Sequence, residues 1–162
     1  MNFTKNNTTR VAQLLGRAPL DKSSANYKKT FQGRCVLVTG GGGSIGQELC
    51  RKIAECSPSK LIILDIYENS AYEIQQELTR KYGASLPLSI VIASIRDASR
   101  INTVFEEHRP EIVLHAAAHK HVPLMEENPA EAIKNNVFGT CHGSLSRRLI
   151  LVRVSSDRWK LC

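Results

Sequence analysis

Three glycines at intervals of three, Gly40, Gly43 and Gly46, stand in Thr39-Gly40-Gly41-Gly42-Gly43-Ser44-Ile45-Gly46, directly after the apolar run Cys35-Val36-Leu37-Val38-Thr39. After a strand, a first glycine permits a tight turn, a second lets the backbone approach a pyrophosphate, and a third lets a helix pack closely on the strand. Phosphate oxygens would meet free amides at the helix start, where the helix dipole also favours negative charge. Asp65 ends a second apolar run 19 residues after Gly46 (65 minus 46), where a carboxylate can accept from a ribose hydroxyl. No Gly-Lys-Ser/Thr follows the glycines, which excludes a Walker-type loop and leaves a dinucleotide as the expected ligand. Asp65 would repel a 2′-phosphate and no basic residue follows it closely, so NAD is favoured over NADP.

Other reactive side chains carry less. His115, His119 and His121 cluster without an acidic or thiol ligand at a suitable spacing, so no metal site is expected. The five cysteines form no Cys-x-x-Cys pair and no even-numbered disulfide framework, which points to reduced thiols and a cytoplasmic setting. Cys35 and Cys50 read as small buried hydrophobes.

The elements that would position these residues follow from periodicity. From Arg34 onward, short β-branched runs alternate with amphipathic stretches, the pattern of βαβ units around a parallel sheet. Strands are expected at residues 35–39, 61–64, 88–92 and 112–114. The first intervening helix should bury Ile45, Leu49 and Ile53, and the second Ala71, Ile74, Leu78 and Tyr82 before stopping at Gly83. A third should bury Ile101, Val104, Phe105 and His108, capped by Asp97 or Ser99, with Pro110 beyond its end. Asn128-Pro129 reads as an N-cap and first helical residue of a fourth helix, with Ala132, Ile133 and Val137 inward. The right-handed crossover rule then gives an α/β Rossmann-type sheet of order 3-2-1-4, helices on both faces. That sheet is incomplete, with only Leu149 to Val154 left for a fifth strand.

With 162 residues, 42% hydrophobic and 23% charged, the chain has the length of one globular domain. Residues 1–33 read as a linker or tail, 34–140 as the NAD(P)-binding domain and 141–162 as an atypical tail. No apolar run approaches the roughly 20 residues a membrane crossing needs. The net charge of +7 divides unevenly: residues 1–34 contribute +6, residues 141–162 contribute +4 and residues 35–140 contribute −3. A basic groove for nucleic acid is therefore not expected in the folded part.

Gly40, Gly43 and Gly46 reproduce the Gly-x-x-Gly-x-x-Gly of extended short-chain dehydrogenases. The stretch His115-Ala116-Ala117-Ala118-His119-Lys120-His121-Val122-Pro123-Leu124-Met125-Glu126, with Asn135-Asn136-Val137-Phe138-Gly139-Thr140, is more specific. The chain resembles the CapD-like nucleotide-sugar 4,6-dehydratases of bacterial polysaccharide biosynthesis from about Leu14 to Thr140; Leu14 to Leu20 resembles the linker of the family's long, membrane-anchored members. The resemblance implies that Thr39, Gly40, Gly43, Ser44, Ile45 and Gly46 line the pyrophosphate. It places Asp65, Ile66, Tyr67 and Ser70 around the adenosine ribose and Ser94 and Ile95 beside the adenine. Ala116, Ala117 and Lys120 would border the nicotinamide ribose, with Lys120 reaching towards a UDP-sugar substrate.

Family chemistry of this kind oxidises C4 of a UDP-linked N-acetylhexosamine, eliminates water across C5 and C6, and returns the hydride to C6. It needs a Ser/Thr-Asp-Lys segment and a Tyr- or Met-x-x-x-Lys helix after the fifth strand, and neither is intact here. No tyrosine has a lysine four residues later, so no catalytic residue is assigned. After Thr140 the resemblance gives way to Cys141-His142-Gly143-Ser144-Leu145-Ser146-Arg147-Arg148, which reads as out of frame or as belonging to a truncated gene. The expectation is thus the cofactor-binding half of a dehydratase, prone to self-association through an apolar edge. A noncatalytic dinucleotide-binding or interaction module and a fragment of a nucleotide-sugar epimerase or reductase are the alternatives.

Overall fold

The computed structural model describes residues 26–144. The possible fifth strand at Leu149 to Val154 and the stretch from Leu14 to Leu20 lie outside them. A short helix α1 (Asn26–Phe31) precedes strand β1 (Cys35–Thr39) within the segment read as a linker, and Phe31 packs partly against the core. There follow α2 (Ser44–Ala54), β2 (Lys60–Asp65), α3 (Glu68–Tyr82), β3 (Leu88–Ile92), α4 (Ala98–His108) and β4 (Ile112–His115). Beyond β4 come α5 (Val122–Glu127), α6 (Pro129–Ala132), a π-helical segment (Ile133–Gly139) and α7 (Thr140–Ser144). The backbone is helical at Ala132, Ile133 and Thr140, so Pro129 to Ser144 runs as one helix that continues past residue 140.

The four strands are all parallel, in the order β3-β2-β1-β4, as the crossover rule requires. Alternate residues feed opposite faces of the sheet. Val36, Val38, Leu61, Ile63, Ile112 and Leu114 pack against Cys50 and Ile53 of α2 and Ile74 and Leu78 of α3. Leu37, Ile62, Leu64, Val91 and Val113 pack on the other side against Ile95 and against Ile101 and Val104 of α4. Burial on both faces explains why these strands are continuously apolar rather than alternating. The Asp97 carboxylate accepts from the Arg100 amide at 2.9 Å and caps α4.

Three local expectations are corrected. In α2 the buried face is Gly46, Cys50, Ile53 and Ala54, while Ile45 is exposed and Leu49 only half-buried. Apolar spacing was the wrong guide, because the helix is turned so that Gly46 meets the backbone of Gly40. In the helix after β4, Ile133 and Val137 are exposed, and Asn135 and Gly139 face inward. There the inward face is chosen by a hydrogen bond from Asn135 Nδ2 to the Ala117 carbonyl, 2.8 Å, and by Gly139 packing on Ile95. Asn128 does precede Pro129 at the helix start, but its side chain donates back to the Leu124 carbonyl instead of capping α6.

Candidate dinucleotide site

Every residue singled out for cofactor contact lies at the carboxyl end of a parallel strand. Residues 39–46 follow β1, residues 65–70 follow β2, residues 94–95 follow β3 and residues 116–120 follow β4. Because β1 lies between β2 and β4, the chain reverses direction across the sheet at β1, which is where doubly wound sheets open a crevice for ligands.

The glycine turn is built for close backbone approach. Gly40 has φ +67°, and a Cβ there would lie 2.7 Å from the carbonyl group of Ala116, so no other residue fits. A Cβ on Gly46 would sit 1.9 Å from the Gly40 carbonyl oxygen, which sets how tightly α2 docks on β1. Gly43 is the N-cap of α2, with no side-chain cap on the first turn and no acidic residue within it. The leading amides of α2 and its positive dipole end are thus open to an anion, and Gly43, Ser44 and Ile45 are exposed. These features fit a pyrophosphate.

Asp65 is buried beside the turn. Its Oδ2 accepts from the Gly42 amide at 2.7 Å and its Oδ1 from the Tyr67 amide at 2.9 Å. Each oxygen retains a lone pair for a ribose hydroxyl. Ile66 and Tyr67 project into solvent and Ser70 is half-buried. Gly42 was not marked for a role by its spacing, and its partnership with a residue 23 positions away carries no local signal.

Past β3, the Ser94 hydroxyl accepts from the Arg96 amide at 3.2 Å, and Ile95 is buried against the helix after β4. Arg96 reaches that helix as well, through an ion pair to Glu131 at 2.7 Å. Thr39 is buried; its carbonyl accepts from Ala116 N–H at 2.9 Å, and its hydroxyl meets His115 Nδ1 at 2.6 Å rather than the solvent side of the turn. Ala116 and Ala117 are half-buried, and Lys120 is exposed in the loop after them.

The sequence reading missed His115, Thr140, Asn135 and Asn136. His115 Nε2 lies 3.1 Å from Thr140 Oγ1, and burial pulls the imidazole pKa below its ordinary value, so the ring is neutral near pH 7. Asn136 clamps the backbone of His119 through both ends of its amide, each at 2.8 Å. The Asn135-Asn136 doublet was the available signal, visible only as part of a family motif. Cys50 is a buried thiol pushed up to about 12 by desolvation, an inert packing group. Among the described residues no three His, Cys, Asp or Glu side chains converge as a metal site, and no helix is long and apolar enough to cross a membrane.

A four-stranded parallel sheet of this order, with a glycine turn at its switch point, defines a Rossmann-type protein of the short-chain dehydrogenase/reductase kind. The profile of the family described as polysaccharide biosynthesis protein matches residues 36–149, and the chain belongs to that family. The capsular polysaccharide biosynthesis protein CapD of Staphylococcus aureus is 48% identical over 130 residues, covering 80% of this chain and 22% of CapD. The UDP-N-acetylglucosamine 4,6-dehydratase (inverting) of Campylobacter jejuni (strain 81-176) is 34% identical over 110 residues, 67% of this chain and 31% of that enzyme. Among solved structures, UDP-glucose 4-epimerase from Stenotrophomonas maltophila with bound NAD and formylated UDP-arabinopyranose superposes with a TM-score of 0.59 at 30% identity, covering 67% of this chain and 32% of that one. The chain thus spans less than a third of the length of these proteins.

Proposed function

We propose that the chain is the dinucleotide-binding part of a nucleotide-sugar 4,6-dehydratase-like polysaccharide biosynthesis protein, with NAD as its cofactor. The observation that carries this reading is the uncapped start of α2 above a glycine turn whose Gly42 amide is held by Asp65. The amides opening α2 bind the pyrophosphate, and Asp65, with Tyr67 and Ser70 beside it, holds the adenosine ribose. Ser94 and Ile95 flank the adenine, and Ala116, Ala117 and Lys120 border the nicotinamide ribose. Bound NAD supplies a hydride acceptor and donor, the chemistry needed to oxidise C4 of a UDP-linked N-acetylhexosamine and return the hydride to C6. Lys120, exposed on the loop after β4, reaches the UDP-sugar.

Turnover also needs a base on the C4 hydroxyl, which the Tyr- or Met-x-x-x-Lys helix provides in the family and no tyrosine–lysine pair provides here. Binding without turnover is the expected behaviour, in a cytoplasmic setting where Cys35, Cys50 and Cys56 stay reduced. The motif at residues 115–126, which resembles that of the dehydratases, favours a dehydratase over an epimerase fragment.

Calorimetric titration of the full chain with NADH and NADPH tests the proposal. Saturable binding of one NADH per chain, tighter than NADPH, is expected. No saturable binding up to about 1 mM NADH, equivalent to about 4 kcal/mol, would remove it.

A further inference from the structure

His115, the last residue of β4, meets a hydroxyl at each ring nitrogen, Thr39 Oγ1 at Nδ1 and Thr140 Oγ1 at Nε2. The hydrogen of Thr140 is already taken, because its hydroxyl donates to the Asn136 carbonyl at 2.8 Å. Thr140 can then only accept from the ring, so Nε2 carries the hydrogen and the lone pair sits on Nδ1. Thr39 in turn must donate to Nδ1. The result is one directed chain: Thr39 O–H to His115, His115 Nε2–H to Thr140, Thr140 O–H to Asn136. It starts one residue before Gly40 and ends at the residue that clamps His119, next to Lys120.

We propose that His115, as the neutral Nε2–H tautomer, is a positioning residue that couples the helix after β4 to both sides of the dinucleotide site. It acts on the glycine turn through Thr39 and on residues 116–120 through Thr140 and Asn136; the link to a ligand rests on the dinucleotide reading above. The ring faces Thr39 on β1 and Thr140 on the helix, and burial alone shifts its titration. A second ring proton would land on Nδ1, against the hydroxyl that now donates there, and would force Thr39 to turn its hydrogen away. Acid therefore reverses the first link of the chain.

The test uses the full chain and the substitutions His115→Ala, His115→Gln and Thr140→Val. Nitrogen-15 NMR of the histidines should show the Nε2–H tautomer at His115. Amide exchange at residues 116–120 should accelerate by about tenfold in His115→Ala and in Thr140→Val, with a similar loss of NADH affinity, and His115→Gln should recover most of both. Glutamine offers a donor and an acceptor but never a charge, so its NADH affinity should stay flat as pH falls below the ordinary histidine range, while that of the parent should fall as His115 takes up its second proton. An Nδ1–H tautomer, or unchanged exchange at residues 116–120 in Thr140→Val, would overturn the coupling. Failure of the parent to bind NADH, with tautomer and exchange as expected, would overturn the dinucleotide reading and still confirm the coupling of helix to loop.

Discussion

The Asp65 carboxylate accepts the Gly42 amide at 2.7 Å, joining the end of β2 to the middle of the glycine turn. Both residues are buried, and the same carboxylate takes the Tyr67 amide. Asp65 thus shapes the glycine turn, in which the phosphates would lie on the proposed reading, and the start of the loop after β2, where the ribose would lie. Asp65→Asn keeps one acceptor but turns an N–H group towards a backbone donor. A loss of about 1–3 kcal/mol in stability is expected. Urea denaturation should show it as a lowered midpoint with unchanged slope, and NADH affinity should fall with it.

Gly46→Ala would drive a methyl group to 1.9 Å from the Gly40 carbonyl oxygen. Backbone on both sides leaves nothing flexible to yield, so a cost at or above the roughly 3 kcal/mol upper range of overpacking is expected. Thermal unfolding should fall by several degrees, about 2–4 °C per kcal/mol for a chain of this size. A melting temperature equal to the parent's would show that α2 can slide away from β1 freely.

Acid should destabilise the fold first through His115. Its folded pKa is lowered by burial, so the unfolded chain binds the proton more readily. Stability is fully present above the unfolded value near 6.5 and is lost as pH falls from there towards the folded pKa, at up to about 1.4 kcal/mol per pH unit. Glu77, whose pKa is lowered by its hydrogen bonds to Arg51, adds a loss of the same sign only below the ordinary carboxylate range. Denaturation midpoints measured from about pH 8 to 5 should therefore slope in the parent and lie flat in His115→Gln.

Arg51 grips Glu77 with two parallel bonds of 2.7 and 2.8 Å, tying α2 to α3. Both side chains are a third or more exposed, so solvent screening limits the pair to about 0.2–1 kcal/mol. A double-mutant cycle with Arg51→Ala and Glu77→Ala should return a coupling in that range that shrinks in high salt. Coupling above about 2 kcal/mol would mean the pair is far less solvated than its exposure indicates.

Ile133, Val137 and Phe138 are each about half exposed on the helix after β4. Concentration-dependent association is expected from an apolar surface of this kind. Sedimentation velocity over rising protein concentration should show it, and Val137→Ser with Phe138→Ser should weaken it without moving the denaturation midpoint.

The strands were legible because each is a short apolar run bounded by turn residues, and parallel strands buried on both faces leave that local mark. The order 3-2-1-4 needed no contact information, since the handedness of βαβ crossovers allows few alternatives. Gly40, Gly46 and Asp65 were legible as a set because their spacing reflects one strand, one turn and the next strand. Tertiary structure alone decided which side of α2 faces inward: Gly46 packs so closely on the glycine turn that a Cβ there would lie 1.9 Å from the Gly40 carbonyl oxygen, and this contact leaves Ile45 exposed. It alone decided the inward face after β4, where Asn135 satisfies the Ala117 carbonyl and the π-helical winding breaks the 3.6-residue period. It also made His115 the link between Thr39 and Thr140, since hydrogen bonds spanning 76 and 25 residues leave no trace in local periodicity.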